Sequence, residues 1–169
     1  MLRIESSQGH GLLTGLPTGF TDLDELTCGL QPGELIILAA RPSMGKTTLA
    51  LNVAEHIGMR EKKGVLLFSL EMSSAQLTQN MLCSHARVNS HKLRRNYLAN
   101  EEYTKLSLAA GALAESKIYI DDQAGMNIRD IKAKARRMKS KHDIDIIIVD
   151  YLQLIEGTGP GVRDGRVQV

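Results

Sequence analysis

The apolar run Leu35-Ile36-Ile37-Leu38-Ala39-Ala40 leads directly into Arg41-Pro42-Ser43-Met44-Gly45-Lys46-Thr47-Thr48. A buried strand, a tight loop and a helix opening on Gly-Lys-Thr-Thr account for that order. Helical spacing follows through Leu49, Ala50, Val53, Ala54 and Ile57. The layout matches a nucleoside-triphosphate phosphate loop. A loop leading into a helix N-terminus offers unpaired backbone N–H groups and a favourable dipole to an anion. Gly45 lets the backbone approach phosphates closely. Lys46 can reach the β- and γ-phosphates, and the Thr47 hydroxyl can meet Mg²⁺. The nine residues Ala40 to Thr48 are therefore the candidate nucleotide cradle. One position departs from G-x-x-x-x-G-K-[ST]: the first glycine is Ala40. An ordinary strand–turn–helix with an exposed lysine is the plain alternative.

The rest of the chain suits a globular α/β domain. Its 169 residues suffice for one domain with a real core, and 43% are hydrophobic. No apolar run is long enough to span a membrane, and the polar stretch Met1 to Gly11 has no apolar signal region. Cys28 and Cys83 lack zinc or redox-pair spacing and read as free thiols in a reducing, cytoplasmic setting. The five histidines are scattered. A net charge of +2 does not by itself demand a nucleic-acid partner. Aromatic content of 4% is low for a single-strand binder built on base stacking.

Residues 1–13 read as a linker and 14–169 as the domain. Thr21 is expected to cap a short helix with Asp24 at its third position. Gly29 ends that helix, and Pro32-Gly33 turns the chain into the first strand. Later elements are a helix from Lys46 to Met59 and a buried strand from Val65 to Leu70. Next come a helix boxed by Ser73 and Gln76, a helix capped by Asn100, and a strand from Ile118 to Ile120. A helix capped by Asn127 and a strand from Ile144 to Asp150, apolar enough for burial on both faces, complete the order. Alternation of strand and helix indicates a mainly parallel sheet flanked by helices.

Two carboxylates fall where a sheet of this kind binds ligands, at the C-terminal ends of its strands. Asp150 ends Ile146-Ile147-Ile148-Val149 and would lie near Thr47, able to hold Mg²⁺ directly or through water. A turn-forming aspartate is its plain alternative. Glu71 follows Val65-Leu66-Leu67-Phe68-Ser69-Leu70 and can act as the base on the water attacking a γ-phosphate. It equally suits a solvent-exposed glutamate favoured by a helix dipole.

Four segments carry a family resemblance: Thr18-Gly19-Phe20-Thr21-Asp22-Leu23-Asp24, the loop Ala40 to Thr47, Phe68-Ser69-Leu70-Glu71-Met72, and Asp150-Tyr151-Leu152-Gln153-Leu154-Ile155. In that order they resemble the DnaB family of bacterial replicative DNA helicases, over roughly Thr14 to Ile155. Alanine at the first loop position also looks like that family. The resemblance implies a RecA-like P-loop NTPase core that assembles as a homo-hexamer and binds ATP and Mg²⁺ between subunits. Such a ring translocates on single-stranded DNA and unwinds the duplex. It implies Lys46 and Thr47 as phosphate and magnesium ligands, Glu71 as general base, and Asp150 as the second magnesium-associated carboxylate. Primase and a helicase loader are the implied protein partners.

The family's pattern extends beyond this chain on both sides. An amino-terminal domain precedes the core. The continuation carries a further sheet strand, a polar sensor, the main DNA loops and an arginine finger. The missing strand lies between those ending at Ala40 and Asp150, so its loss is expected to leave both edges unpaired. The chain alone is accordingly expected to hydrolyse ATP poorly and to unwind nothing.

Basic residues need separate readings. Arg129, Lys132, Lys134, Arg136, Arg137, Lys139 and Lys141 suit the solvated face of a crossover helix better than a DNA surface. Lys92, Arg94 and Arg95 read the same way. Arg163 and Arg166, in a glycine-rich loop after the Asp150 strand, can reach a phosphate backbone; a flexible tail is the equal alternative. Rival functions are another RecA-superfamily ATPase, which Asp150-Tyr151-Leu152-Gln153-Leu154-Ile155 argues against, and a non-catalytic loader-like module, which need not keep Glu71.

Overall fold

The computed structural model describes residues 13–156. Arg163 and Arg166, the glycine-rich loop around them and most of the expected linker lie outside the described residues.

Among the described residues, three parallel strands form the sheet, in the order β2-β1-β3. β1 spans Gly64–Ser69, β2 Ile118–Asp121 and β3 Ile144–Asp150. Every residue of β1 is buried, because it is the central strand and both faces are covered. Leu66 and Phe68 pack with Met126, Ile131, Ile144 and Ile155 on one side. Leu67 and Val65 point to the other. Leu67 meets Leu51, Leu77 and Met81; Val65 meets Ala54 and Ile57. This alternation is the two-residue period of a strand buried on both faces.

The helices cover the sheet as the periodicity indicates. α1 is Thr21–Thr27, α2 Lys46–Glu55 with a π-turn continuing through His56–Arg60, and α3 Ser74–Ala86. α4 is Ser90–Arg94, α5 Asn100–Ala114 and α6 Ile128–His142. The Ser73–Gln76 capping box forms as expected, and the Asn127 side chain accepts from the Arg129 and Asp130 amides. Ile131 is the buried residue of α6, flanked by the partly buried Ala135 and Met138. Arg129, Lys132, Arg136 and Arg137 face solvent on it, and so do Lys92, Arg94 and Arg95 around α4.

Two expected caps are replaced. Thr21 is the first helical residue of α1, and its N-cap, Phe20, makes no side-chain bond. Asp24 instead reaches back, accepting from the Thr18 amide and hydroxyl at 2.8 Å each and from Gly19 N at 3.2 Å. A carboxylate accepts more bonds than a hydroxyl, so the buried Asp24 ties down the whole turn. Asn100 is likewise inside α5; Ala99 precedes the helix, and its amide donates to Glu102 Oε2 at 2.9 Å.

The larger corrections concern strands. Residues 35–40, the expected first strand, pair with nothing among the described residues, and Leu35 to Leu38 are exposed. β3 is bound to β1 on one side only, leaving the unpaired edge expected from the missing strand. Ile144 and Asp150 are buried, but Ile147 is half-exposed. β3 is therefore an edge strand here, not one covered on both faces. An apolar run becomes a strand only when a neighbour satisfies its backbone; the described residues supply none to residues 35–40 and only β1 to β3.

Candidate functional site

The loop ahead of α2 has the backbone that its sequence requires. Ser43 sits at φ +65° and Gly45 at φ +85°. The second is cost-free for glycine, whereas the first is unusual for a residue with a Cβ. A Cβ on Gly45 would meet no atom within 4 Å, so the glycine serves backbone conformation and open space rather than packing. α2 then begins at Lys46 without a side-chain cap. Its first intrahelical bond runs from Leu49 N to Gly45 O at 2.9 Å. The amides before Leu49 carry the positive end of the helix without a capping oxygen, which suits an anion.

Asp150 joins this loop from the far end of the sequence. The Thr47 hydroxyl donates to its Oδ2 at 2.6 Å, across 103 residues. Lys46 Nζ lies 3.6 Å from its Oδ1. Asp150 is buried, and its carboxylate is held by a hydroxyl and an ammonium. The register of β1 on β3 places it there: Ser69 pairs with Asp150, and Leu70 N donates to Asp150 O at 2.8 Å. The peptide bond between Asp150 and Tyr151 is cis.

The same pairing brings Glu71 to this sheet edge, one residue beyond Leu70. Its side chain is exposed. A buried serine shapes the bend that carries it. Ser69 Oγ donates to Met72 O at 2.6 Å and accepts from Met72 N at 3.2 Å. Beside the loop, a cavity of about 380 Å³ is lined by Thr47, Thr48, Leu51, Met72, Met81 and Cys83, among others. Burial raises the Cys83 thiol above its ordinary pKa, against the opposing pull of Arg94, which keeps it protonated and unreactive near neutrality.

Thr47 and Asp150 fit magnesium chemically. Both are hard oxygen donors already within one coordination sphere of each other, and Mg²⁺ prefers oxygen. Among the described residues no group of three or more His, Cys, Asp or Glu side chains forms a metal cage. Phosphate oxygens and water would complete the shell, as is usual for this ion.

Residues 15–168 match the family model of the DnaB-like helicase C-terminal domain. The chain belongs to that family. It is 47% identical over 158 residues to the replicative DNA helicase DnaC of Bacillus subtilis, and 48% identical over 159 residues to the replicative DNA helicase DnaB of Geobacillus stearothermophilus. Each match covers 94% of this chain and 35% of the relative, so the chain spans about a third of those relatives' length. A solved structure of a DnaB-like replicative helicase, described with its interactions with primase, superposes with TM-score 0.82 at 38% identity. It covers 94% of this chain and 38% of that one. A second solved structure, described as an ATPase domain, superposes with TM-score 0.83 at 38% identity, over 94% and 56% of the two chains. The RecA-like α/β reading thus holds, with a parallel sheet flanked by helices.

Of the site residues expected for a DnaB-like domain, the structure brings Lys46, Thr47 and Asp150 into direct contact. Ala40, Arg41, Pro42, Ser43, Met44, Gly45 and Thr48 lie in or beside the loop, and Glu71 stands at the same edge without a bond to them. Sequence reasoning missed Ser69 and Tyr151. The first looked like one more residue of a buried strand. The second sits in the Asp150 motif, where its ring lies 4.2 Å from Lys46 Nζ. Its neighbourhood to a conspicuous carboxylate was the available signal. Among the described residues, no helix is long and apolar enough to cross a membrane.

Proposed function

We propose that this chain is the ATP-hydrolysing motor portion of a replicative DNA helicase, converting ATP turnover into movement along single-stranded DNA and duplex unwinding. The observation that carries the reading is the Lys46–Asp150–Thr47 cluster, set against the uncapped start of α2 in a DnaB-like domain.

The residues divide the work by charge and reach. The Ala40–Thr48 backbone cradles the phosphates. Lys46 holds the β- and γ-phosphates as a point charge. Thr47 and Asp150 would hold Mg²⁺, which would supply neutralising charge to the phosphate oxygens. Glu71 takes a proton from the attacking water and keeps that water in line. In the intact protein the reading extends to a homo-hexamer with primase and a loader as partners, working in the cytoplasm. There Arg163 and Arg166 would face the DNA backbone. Residues 1–13 are read as linker and 14–169 as part of the ATPase domain.

ATP binding and turnover in a full-length context, with and without single-stranded DNA, test the reading. Lys46→Ala is expected to weaken Mg-ATP binding strongly, to an affinity still measurable by titration. Glu71→Gln is expected to bind ATP normally while turnover falls by about 10²-fold or more. Normal hydrolysis by the Glu71 variant would remove the glutamate from the role of base. Unaltered ATP binding by the Lys46 variant would remove the nucleotide site itself.

A further inference from the structure

The geometry points to Tyr151 as a positioning residue for Lys46, acting through the face of its ring on the lysine's ammonium. The inference rests on the nucleotide reading above and adds a residue to it.

Lys46 Nζ lies 4.2 Å from the centroid of the Tyr151 ring. A cation is attracted to an aromatic face out to about 6 Å, through the ring quadrupole. The same ammonium lies 3.6 Å from Asp150 Oδ1. Consecutive residues at the end of β3 therefore grip one lysine, a carboxylate from one side and a ring from another. The two grips differ. Asp150 also binds the Thr47 hydroxyl at 2.6 Å, so its charge is shared, and a metal at Thr47 and Asp150 would draw on it further. The ring is uncharged and competes for neither.

The need for such a grip follows from the side chain. A lysine has four rotatable carbons, and ordering them costs entropy. Lys46 is only part-buried, with its side chain 30% exposed, so packing alone does not fix it. Tyr151 itself is half-buried and its backbone is fixed on both sides. Asp150 precedes it in the β1–β3 ladder, and Leu154 N donates to its carbonyl at 3.2 Å in the following 3₁₀ turn, Leu152–Leu154. No hydrogen bond engages the Tyr151 hydroxyl among the described residues, so the ring, not the hydroxyl, does the holding.

Fluorescence anisotropy of an N-methylanthraniloyl-ATP, in Mg²⁺ and in EDTA, tests this on the chain and on Tyr151→Phe, Tyr151→Leu, Lys46→Ala and the Lys46→Ala/Tyr151→Leu double variant. Tyr151→Phe should retain the parent's affinity. Tyr151→Leu should weaken it by about 2- to 5-fold, the range of an exposed cation–π contact. Adding Tyr151→Leu to Lys46→Ala should change nothing more, since the ring then has no cation to hold. Equal losses with and without Lys46, or no loss in Tyr151→Leu, would overturn the positioning role while leaving the nucleotide site standing. Failure of the nucleotide reading itself would show separately, as unaltered binding by Lys46→Ala. A second measurement needs no Tyr151 variant. In lysine-labelled protein the Lys46 ε-methylene signal, assigned by its disappearance in Lys46→Ala, should be displaced upfield by the ring. An undisplaced signal would also overturn the proposal.

Discussion

Leu35–Leu38 and Val65–Phe68 are equally apolar four-residue runs, and the molecule treats them in opposite ways. Val65, Leu66, Leu67 and Phe68 are at most 2% exposed, whereas Leu35, Ile36, Ile37 and Leu38 are 83%, 56%, 70% and 45% exposed. β1 has a strand on each side and helices on both faces. Residues 35–38 have neither among the described residues. Hydrophobicity supplies a reason for burial, but hydrogen-bonding neighbours decide where burial happens. The contrast reaches the site. Asp150 ends a strand paired in the sheet, and Glu71 follows another. The phosphate loop hangs from the unpaired run, and its firm anchors are α2 behind it and the Thr47–Asp150 bond across it.

The strongest way to sharpen this contrast is to empty one run and charge the other. Phe68→Ala should cost about 3–5 kcal/mol in urea denaturation, as a large buried ring leaves a cavity. Hydrogen exchange should show β1 amides among the slowest, with those of residues 35–38 exchanging freely. Ser69→Ala should cost less, about 1 kcal/mol, because it removes two hydrogen bonds to Met72 but little volume. Its signature is functional: turnover that depends on Glu71 should fall while ATP affinity holds, since only the bend carrying the glutamate is loosened. Ile37→Lys, by comparison, should stay within about 0.5 kcal/mol of the parent. A large loss there would show that residues 35–38 are buried in solution and break the comparison.

The smallest effect is electrostatic. The Ala99 amide and then the Lys92 ammonium hold Glu102 below the ordinary carboxylate range. The Ser74 amide at the start of α3 lowers Asp122 in the same way. Carboxyls with depressed pKa values bind protons more readily when unfolded. They stabilise the fold above the ordinary carboxylate range, and this contribution disappears as pH falls through their lowered values. Denaturation midpoints should therefore decline modestly on acidification, and Glu102→Gln should flatten part of that slope.

Much of this was legible from residue order. The Ser73–Gln76 box, the Asn127 cap and the glycine of the phosphate loop each depend on neighbours within a few positions, and local sterics and hydrogen bonding decide them. Thr21 and Asn100 misled because either a hydroxyl or an amide can cap a helix, and the choice fell to Asp24 and Glu102 nearby. The phosphate loop, Glu71 and Asp150 were legible as separate signals, and so was their order along the chain.

Sequence by itself thus determined most of the helical segments, the alternation of strand and helix, and which residue types are available for phosphate, metal and base. Tertiary structure alone decided that residues 35–40 form no strand and lie exposed. It also brought Thr47 to a carboxylate 103 residues away and set Lys46 against the ring of Tyr151. The division has one physical cause. Helix caps and turns close within a few residues, whereas sheet membership and the meeting of distant side chains depend on which partners the folded chain brings within reach.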